Sequence, residues 1–342
     1  MKIVVLAGGL NMERDVSLST GNMIYKTLRD NGHQCILLDV YLGWEGSLDG
    51  IFERDFELSA SDAAIKETEP DLEAIKRLRK NLSGSFLGPA VLELCQMADV
   101  VFLALHGDNG EDGKIQACFE LLGIRYTGTD YLSSAIALDK GLAKQILRQN
   151  SIPTVRGYQL RSKEEDAREY ELRYPKIVKM NTGGSSVGVY LAHNKPEYEA
   201  AKRMAFTYDQ ELVIEEFIEG REFDVGILDG HAMPVIEIAT SDGLYDYRNK
   251  YQQGIATETC PANLPAEKTY ELQRLAEAVF HALKMRGYAR MDFRMDDNGS
   301  FYCLEANSLP GMTPTSLFPQ EAAAMGMSFS QLCEEIIRLA LQ

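Results

Sequence analysis

At 342 residues the chain is too long for one ordinary core and predicts two or three domains. Its residues are 45% hydrophobic and 25% charged, an ordinary soluble balance, and no apolar stretch approaches the ~20 residues of a membrane span. The formal charge of −16 argues against a nucleic-acid partner, because nothing offsets phosphate repulsion, yet a local lysine cluster with Mg²⁺ still admits a phosphate-bearing substrate.

The chain opens on "MKIVVLAGG", an apolar run too short before Gly8 for a signal peptide and readable as a first strand. The expected location is the cytoplasm. Cysteines at 35, 95, 118, 260, 303 and 333 are scattered without a C-x-x-C pair, which predicts buried free thiols, not disulfides or zinc. "IVVLAGG" (3–9), "CILLDV" (35–40) and "DVVFLAL" (99–105) are β-branched apolar runs separated by helical patterns. That is the rhythm of a parallel sheet covered on both faces. Residues 44–85 break it with an acid-rich stretch, read as an insertion whose helical pieces lie in solvent. The first domain, α/β, is expected over 1–128.

From about residue 129 the pattern changes. "YLSSAIALDKGLAKQILRQN" is helical and closes at a Pro turn, "SIPT". A strand "KIVKM" (176–180), a Gly/Ser loop "NTGGSSVG", a strand "VYLA", a helix near 196–206 and a strand "ELVIEEF" (211–217) predict a small α+β lobe over 129–219. Strands at 221–228 and 232–239, a polar loop 241–259 and a helix at 266–285 begin the last domain, 220–342. Strands at 288–295 and 300–306 and a closing helix complete it. No internal repeat or low-complexity tract is present.

Four stretches carry chemistry. In "KMNTGGSSVGV", glycines, hydroxyls and free backbone N–H groups follow a strand, an arrangement that wraps phosphates, although most Gly-Ser loops are plain turns. Lys179 just before it, and Lys140 at the head of the preceding helix, are cations that suit phosphate oxygens. "VIEEF" places Glu215 and Glu216 at a strand end with Glu222 beyond; this is either a solvated end or a carboxylate for ribose hydroxyls. "RMDFRMDDNGSFYCLEAN" is a hairpin, and antiparallel pairing brings Asp292 beside Glu305, with Asn307 on the same face. Two carboxylates and an amide form an all-oxygen set that suits a hard cation such as Mg²⁺. Arg290, two residues before Asp292, adds a positive fork suited to a developing oxyanion. "LHGDNGEDG" (105–113) follows a strand of the first sheet, where ligand loops gather, and contains His106, either a loop-fixing histidine or a substrate contact.

With these stretches in place, the chain resembles the ATP-grasp ligases, and among them the D-alanine–D-alanine ligase family. "AGGLNMERDVSLSTG", "LHGDNGEDGKIQACFELLGIRYTG", "ALDKGLAK", "GSSVGV", "VIEEFIEGREFDVGIL", "YDYRNKY", "CPANL" and "RMDFRMDDNGSFYCLEANSLPGMTPTSL" occur in family order across nearly the whole chain. The resemblance implies a three-domain ATP-grasp fold, with ATP between the central and C-terminal domains. It makes Lys140 and Lys179 phosphate contacts, and Glu215, Phe217, Ile218 and Glu222 the adenine–ribose side. Asp292, Glu305 and Asn307 become ligands of a pair of Mg²⁺ ions, with Mn²⁺ as a substitute.

The same resemblance makes Glu13 the partner of the first substrate's ammonium, and joins Ser185 and Tyr251 to it in a hydrogen-bonded trio. Arg290 and the Gly311 N–H would form an oxyanion hole, Lys250 and Ser316 would hold the second substrate, and His106 would lie near the first. It further implies a homodimer and a role in peptidoglycan precursor synthesis. The chain departs from the family pattern at Met180, where many relatives carry Pro, and at Gly183-Gly184, which replaces a bulkier charged pair. Ligases that join D-alanine to D-lactate or D-serine are the nearest alternative; "YRNKY" favours the dipeptide enzyme.

Overall fold

The computed structural model describes residues 1–59, 61–66, 70–79, 84–162, 166–184, 188–240, 256–313 and 315–342, leaving aside the side chains of residues 240 and 256. The first sheet is parallel: β1 (Lys2–Ala7) lies between β2 (Gln34–Asp39) and β3 (Val100–Leu103). These runs lack alternation because both of their faces are buried. Helices α1 (Arg14–Asp30), α2 (Leu72–Leu78), α3 (Val91–Met97) and α4 (Lys114–Leu122) accompany it.

The acid-rich stretch 44–85 is solvated only in part. Helix α2 buries no residue, as expected, but Ile51 and Phe52 are 1% and 3% exposed and belong to the core of the first sheet. Trp44, Phe56 and Leu58 pack against that core. Acids on the outer side of the segment mask this apolar inner side in a composition count.

Helices α5 (Tyr131–Leu138) and α6 (Lys140–Gln149) lead into a second, antiparallel sheet of β4 (Gly157–Arg161), β5 (Lys176–Met180), β6 (Tyr190–Ala192) and β7 (Glu211–Glu216), in the order β4-β7-β5-β6. Helix α7 (Lys195–Ala205) buries Tyr198, Ala201 and Ala205 in one cluster with Val178, Leu212 and Ile214 of this sheet.

The third sheet holds β8 (Arg221–Leu228), β9 (His231–Ala232), β10 (Ile236–Thr240), β11 (Ala256–Thr259), β12 (Tyr288–Met295) and β13 (Phe301–Asn307). The single strand expected at 232–239 is two, parted at Pro234, which has no N–H to give a ladder. Helix α8 (Ala266–Ala282) covers one face, where Leu272, Ala276 and Val279 meet Phe223, Val225, Ile227, Met291 and Phe293. Helix α9 (Leu317–Ala324) packs on the other face of β8. The last helix, α10 (Phe329–Ala340), returns to the first sheet and adds Leu332, Cys333, Ile336 and Ile337 to its core. Among the described residues, no helix is long and apolar enough to cross a membrane.

Candidate active site

The period of two along a strand divides the third sheet chemically. Phe223, Val225 and Ile227 of β8 bury under α8, while Glu222, Asp224 and Gly226 face the other way, opposite Arg294, Asp292 and Arg290 of β12. Strand β13 extends the polar face, with Asp292 opposite Glu305 and Arg290 opposite Asn307. The register shifts next, so that Phe293 meets Cys303 and Leu304 is left unpaired. This bulge lets the consecutive residues Leu304 and Glu305 both line the cleft. Asp292, Glu305 and Asn307 therefore come together as the hairpin predicts. Asn307 Nδ2 donates to Asp292 Oδ2 at 3.1 Å.

Lysines face this sheet from the other side of the cleft. Lys140, the first residue of α6, donates to the Gly183 carbonyl at 2.6 Å and stands 3.6 Å from Glu305. Lys179 of β5 lies 2.9 Å from Glu215. Lys144, which sequence reasoning passed over, lies 2.6 Å from the same carboxylate and is 2% exposed. Its position was legible: Lys140 and Lys144 are four apart on one helix and share a face. Burial pulls the Lys144 ammonium down against the pull of Glu215. For Glu215, burial raises the carboxyl but the two lysines outweigh it, leaving it below its ordinary value.

Between the sheets lies a cleft lined by Lys179, Glu215, Phe217, Ile218, Glu222, Asp292, Arg294 and Glu305 among others. Arg294 organises its far end. Its Nη1 donates to the Ile218 carbonyl at 2.9 Å, its Nε lies 3.3 Å from Glu222, and its guanidinium stands 5.0 Å from the Phe217 ring centre. Both oxygens of Glu215 are thus engaged by lysines, whereas Glu222 pairs with Arg294.

The first sheet closes the site from below. Glu13, at the N-terminus of α1, is 9% exposed. A Cβ on Gly107 or Gly184 would lie 2.7 or 2.8 Å from its Oε2, so both glycines serve close approach to this carboxylate. His106 is buried, and burial brings its imidazole down to about 4, so it is neutral at physiological pH. Its Nε2 stands 3.5 Å from Thr20 Oγ1. Glu111, in the same loop but not singled out from sequence, accepts the N–H groups of Gly107 at 2.8 Å and Leu309 at 3.2 Å. Burial, then the charge of Glu13, pushes its carboxyl up to about 8. Beyond β13, Gly311 packs so close to Ser316 that a Cβ on it would lie 2.8 Å from Ser316 Oγ, which accepts the Thr313 N–H at 3.0 Å. Ser185, Lys250 and Tyr251 lie outside the described residues.

The donor set of Asp292, Glu305 and Asn307 is all oxygen and fits Mg²⁺. Among the described residues, no group of three or more His, Cys, Asp or Glu forms a cage of its own. A cation here would therefore take part of its shell from phosphate or water.

Two antiparallel sheets that clasp a cleft, with lysines on one side and carboxylates on the other, define a member of the ATP-grasp ligase class. Family models described as D-ala D-ala ligase N-terminus and D-ala D-ala ligase C-terminus match residues 2–129 and 146–338. The chain belongs to the D-alanine–D-alanine ligase family. It is 43% identical over 340 residues to the D-alanine–D-alanine ligase of Pediococcus pentosaceus, covering 98% of this chain and 97% of that one. The Lacticaseibacillus casei ligase is 38% identical over 344 residues, covering 98% and 95%. The Bacillus anthracis ligase complexed with ATP superposes with a TM-score of 0.77 at 31% identity, covering 100% of this chain and 97% of that chain. The Coxiella burnetii ligase does so with 0.78 at 25% identity, covering 100% and 94%.

Proposed function

We propose that this chain joins two D-alanine molecules into D-alanyl-D-alanine, with conversion of ATP to ADP and phosphate, in the cytoplasmic synthesis of peptidoglycan precursors. The observation that carries this reading is the polar face of β8, β12 and β13 set against Lys140 and Lys179. A carboxylate is a poor electrophile, so the first D-alanine attacks the γ-phosphorus of ATP and ADP leaves, forming an acyl phosphate. The amine of the second D-alanine then attacks the acyl carbon. The tetrahedral intermediate expels phosphate.

Lys140 and Lys179 hold phosphate oxygens, and Phe217, Ile218 and Glu222 receive adenine and ribose while Glu215 orients the lysines. Mg²⁺, held by Asp292, Glu305 and Asn307, would neutralise phosphate charge. Glu13 takes the ammonium of the first D-alanine, beside neutral His106. Arg290 and the Gly311 N–H stabilise the oxyanion. Ser316 and Lys250 hold the second D-alanine, and Ser185 and Tyr251 join Glu13 to close the site. We further propose a homodimer. Leu121 at 89% exposure and Leu132 at 44%, on the neighbouring helices α4 and α5, supply an apolar surface for it.

The experiment incubates the purified protein with ATP, Mg²⁺ and D-alanine, with D-lactate or D-serine added in parallel, and measures phosphate and product. Dipeptide from D-alanine alone is the expected result. Product only with D-lactate or D-serine, or no phosphate release at all, would overturn the reading.

A further inference from the structure

Beside the cleft two acids pair with one guanidinium and a third lies near them. Arg290 gives its Nε and Nη2 to the two oxygens of Asp292, each at 2.9 Å. Asp224, on the neighbouring strand β8 and 1% exposed, stands 3.0 Å from the same Nε. From α9, Glu321 reaches down to β8, where its Oε2 accepts the Gly226 N–H at 2.8 Å. Its Oε1 is buried without a hydrogen-bond partner among the described residues.

The strand register explains the grouping. Asp224 lies opposite Asp292 and Gly226 opposite Arg290, so all four positions share one face. Ladder pairing between β10 and β8 ends at Asp224, and Glu321 supplies the acceptor for the next inward N–H on that side. Gly226 leaves room for it; a Cβ there would lie 2.2 Å from Glu321 Oε2.

Asp292 therefore has two claims on it. Arg290 engages both of its oxygens, and the proposed cation needs at least one. Once Asp292 turns toward a cation, a largely buried guanidinium would be left short of a counter-charge, a costly state unless another carboxylate remains. Asp224 is that carboxylate.

We propose that Asp224 is the positioning residue of Arg290, keeping the guanidinium aimed into the cleft while Asp292 serves the cation. Glu321 seats the stretch of β8 that carries Asp224. Burial and then the charge of Asp224 raise its carboxyl well above the ordinary range, against the opposing pull of Arg290.

This inference rests on the proposed roles of Asp292 and Arg290. The test compares the full-length wild type with Asp224→Asn, Arg290→Met and the double variant. Calorimetry follows ATP binding as Mg²⁺ is varied, and steady-state kinetics give kcat and the KM for D-alanine. Without Asp224, Arg290 holds Asp292 more tightly. The Mg²⁺ needed for half-maximal ATP binding should rise several-fold and kcat should fall roughly tenfold or more, the scale of one charge-assisted hydrogen bond. The KM for the first D-alanine should change little.

In the Arg290→Met background, Asp224→Asn should have almost no further effect on either readout. An undiminished effect there would mean that Asp224 acts on the fold and not on Arg290, and would overturn the proposal. So would an Asp224→Asn enzyme with wild-type Mg²⁺ dependence and kcat. Should Asp224→Asn not fold, Asp224→Ser takes its place in every comparison. A wild type that makes no dipeptide and binds ATP without regard to Mg²⁺ would overturn the functional reading as well, which separates the two failures.

Discussion

Glu215 is held by Lys144 at 2.6 Å and Lys179 at 2.9 Å, all three deep in the cleft wall. Removing one partner of a buried pair leaves charge uncompensated, so Lys144→Met is expected to cost on the order of 3 kcal/mol in urea unfolding. It should also raise the KM for ATP, because Lys179 would be drawn wholly to Glu215. The approach of Gly184 to Glu13 makes a second prediction. A Cβ placed 2.8 Å from Glu13 Oε2 must push the carboxylate or the loop aside. Gly184→Ala should therefore weaken binding of the first D-alanine by on the order of tenfold, and the strain of about 1–3 kcal/mol should lower the melting temperature by a few degrees. Lys140 and Lys179 were legible because each stands at the end of a predicted element. The pairing of Lys144 was not, because sequence periodicity places it beside Lys140 without saying that an acid waits across the interface.

At the scale of elements, the hairpin of β12 and β13 was almost wholly readable. Alternation put Asp292, Glu305 and Asn307 on one face, and antiparallel pairing of the hairpin set Asp292 beside Glu305. The bulge at Leu304 was not readable, since it adds one residue without changing the apolar pattern. The segment 44–85 shows the opposite failure. Its charge suggested an insertion lying in solvent, but Phe52 is 3% exposed in the core of the first sheet. Phe52→Ala is expected to destabilise the protein by about 3–5 kcal/mol, measured by denaturant unfolding. Charge substitutions on α2, which buries nothing, should stay within about 0.5 kcal/mol. Equal effects at the two places would contradict this division of the segment.

Across the whole molecule, Glu111 ties the first third of the chain to the last by accepting the N–H groups of Gly107 and Leu309. Its carboxyl titrates near 4.5 when unfolded and at about 8 when folded, raised first by burial and then by Glu13. Between those values the unfolded chain releases a proton that the folded protein keeps. The stability this group contributes is thus full below about 4.5 and is lost as pH rises toward about 8. Glu111→Gln should flatten the decline of the melting temperature across that window, relative to wild type. A variant whose profile runs parallel to wild type would show that Glu111 is already ionised. Helix α10 provides a second long-range tie, since Ile336 and Ile337 complete the core of the first sheet from the far end of the chain.

The parallel first sheet, much of the element order and the shared face of Asp292, Glu305 and Asn307 follow from the sequence, whereas β4, β11 (placed in an expected loop) and α9 do not. The former depend on periods of two and near four, on strand-end placement and on turn residues, which are local. The pairing of Lys144 with Glu215, the docking of α10 on the first sheet and the gathering of Asp224 and Glu321 about Arg290 were decided only by the tertiary structure. An apolar stripe shows that a face is buried but not against what, and a buried charge is tolerated only where a partner from a distant segment meets it.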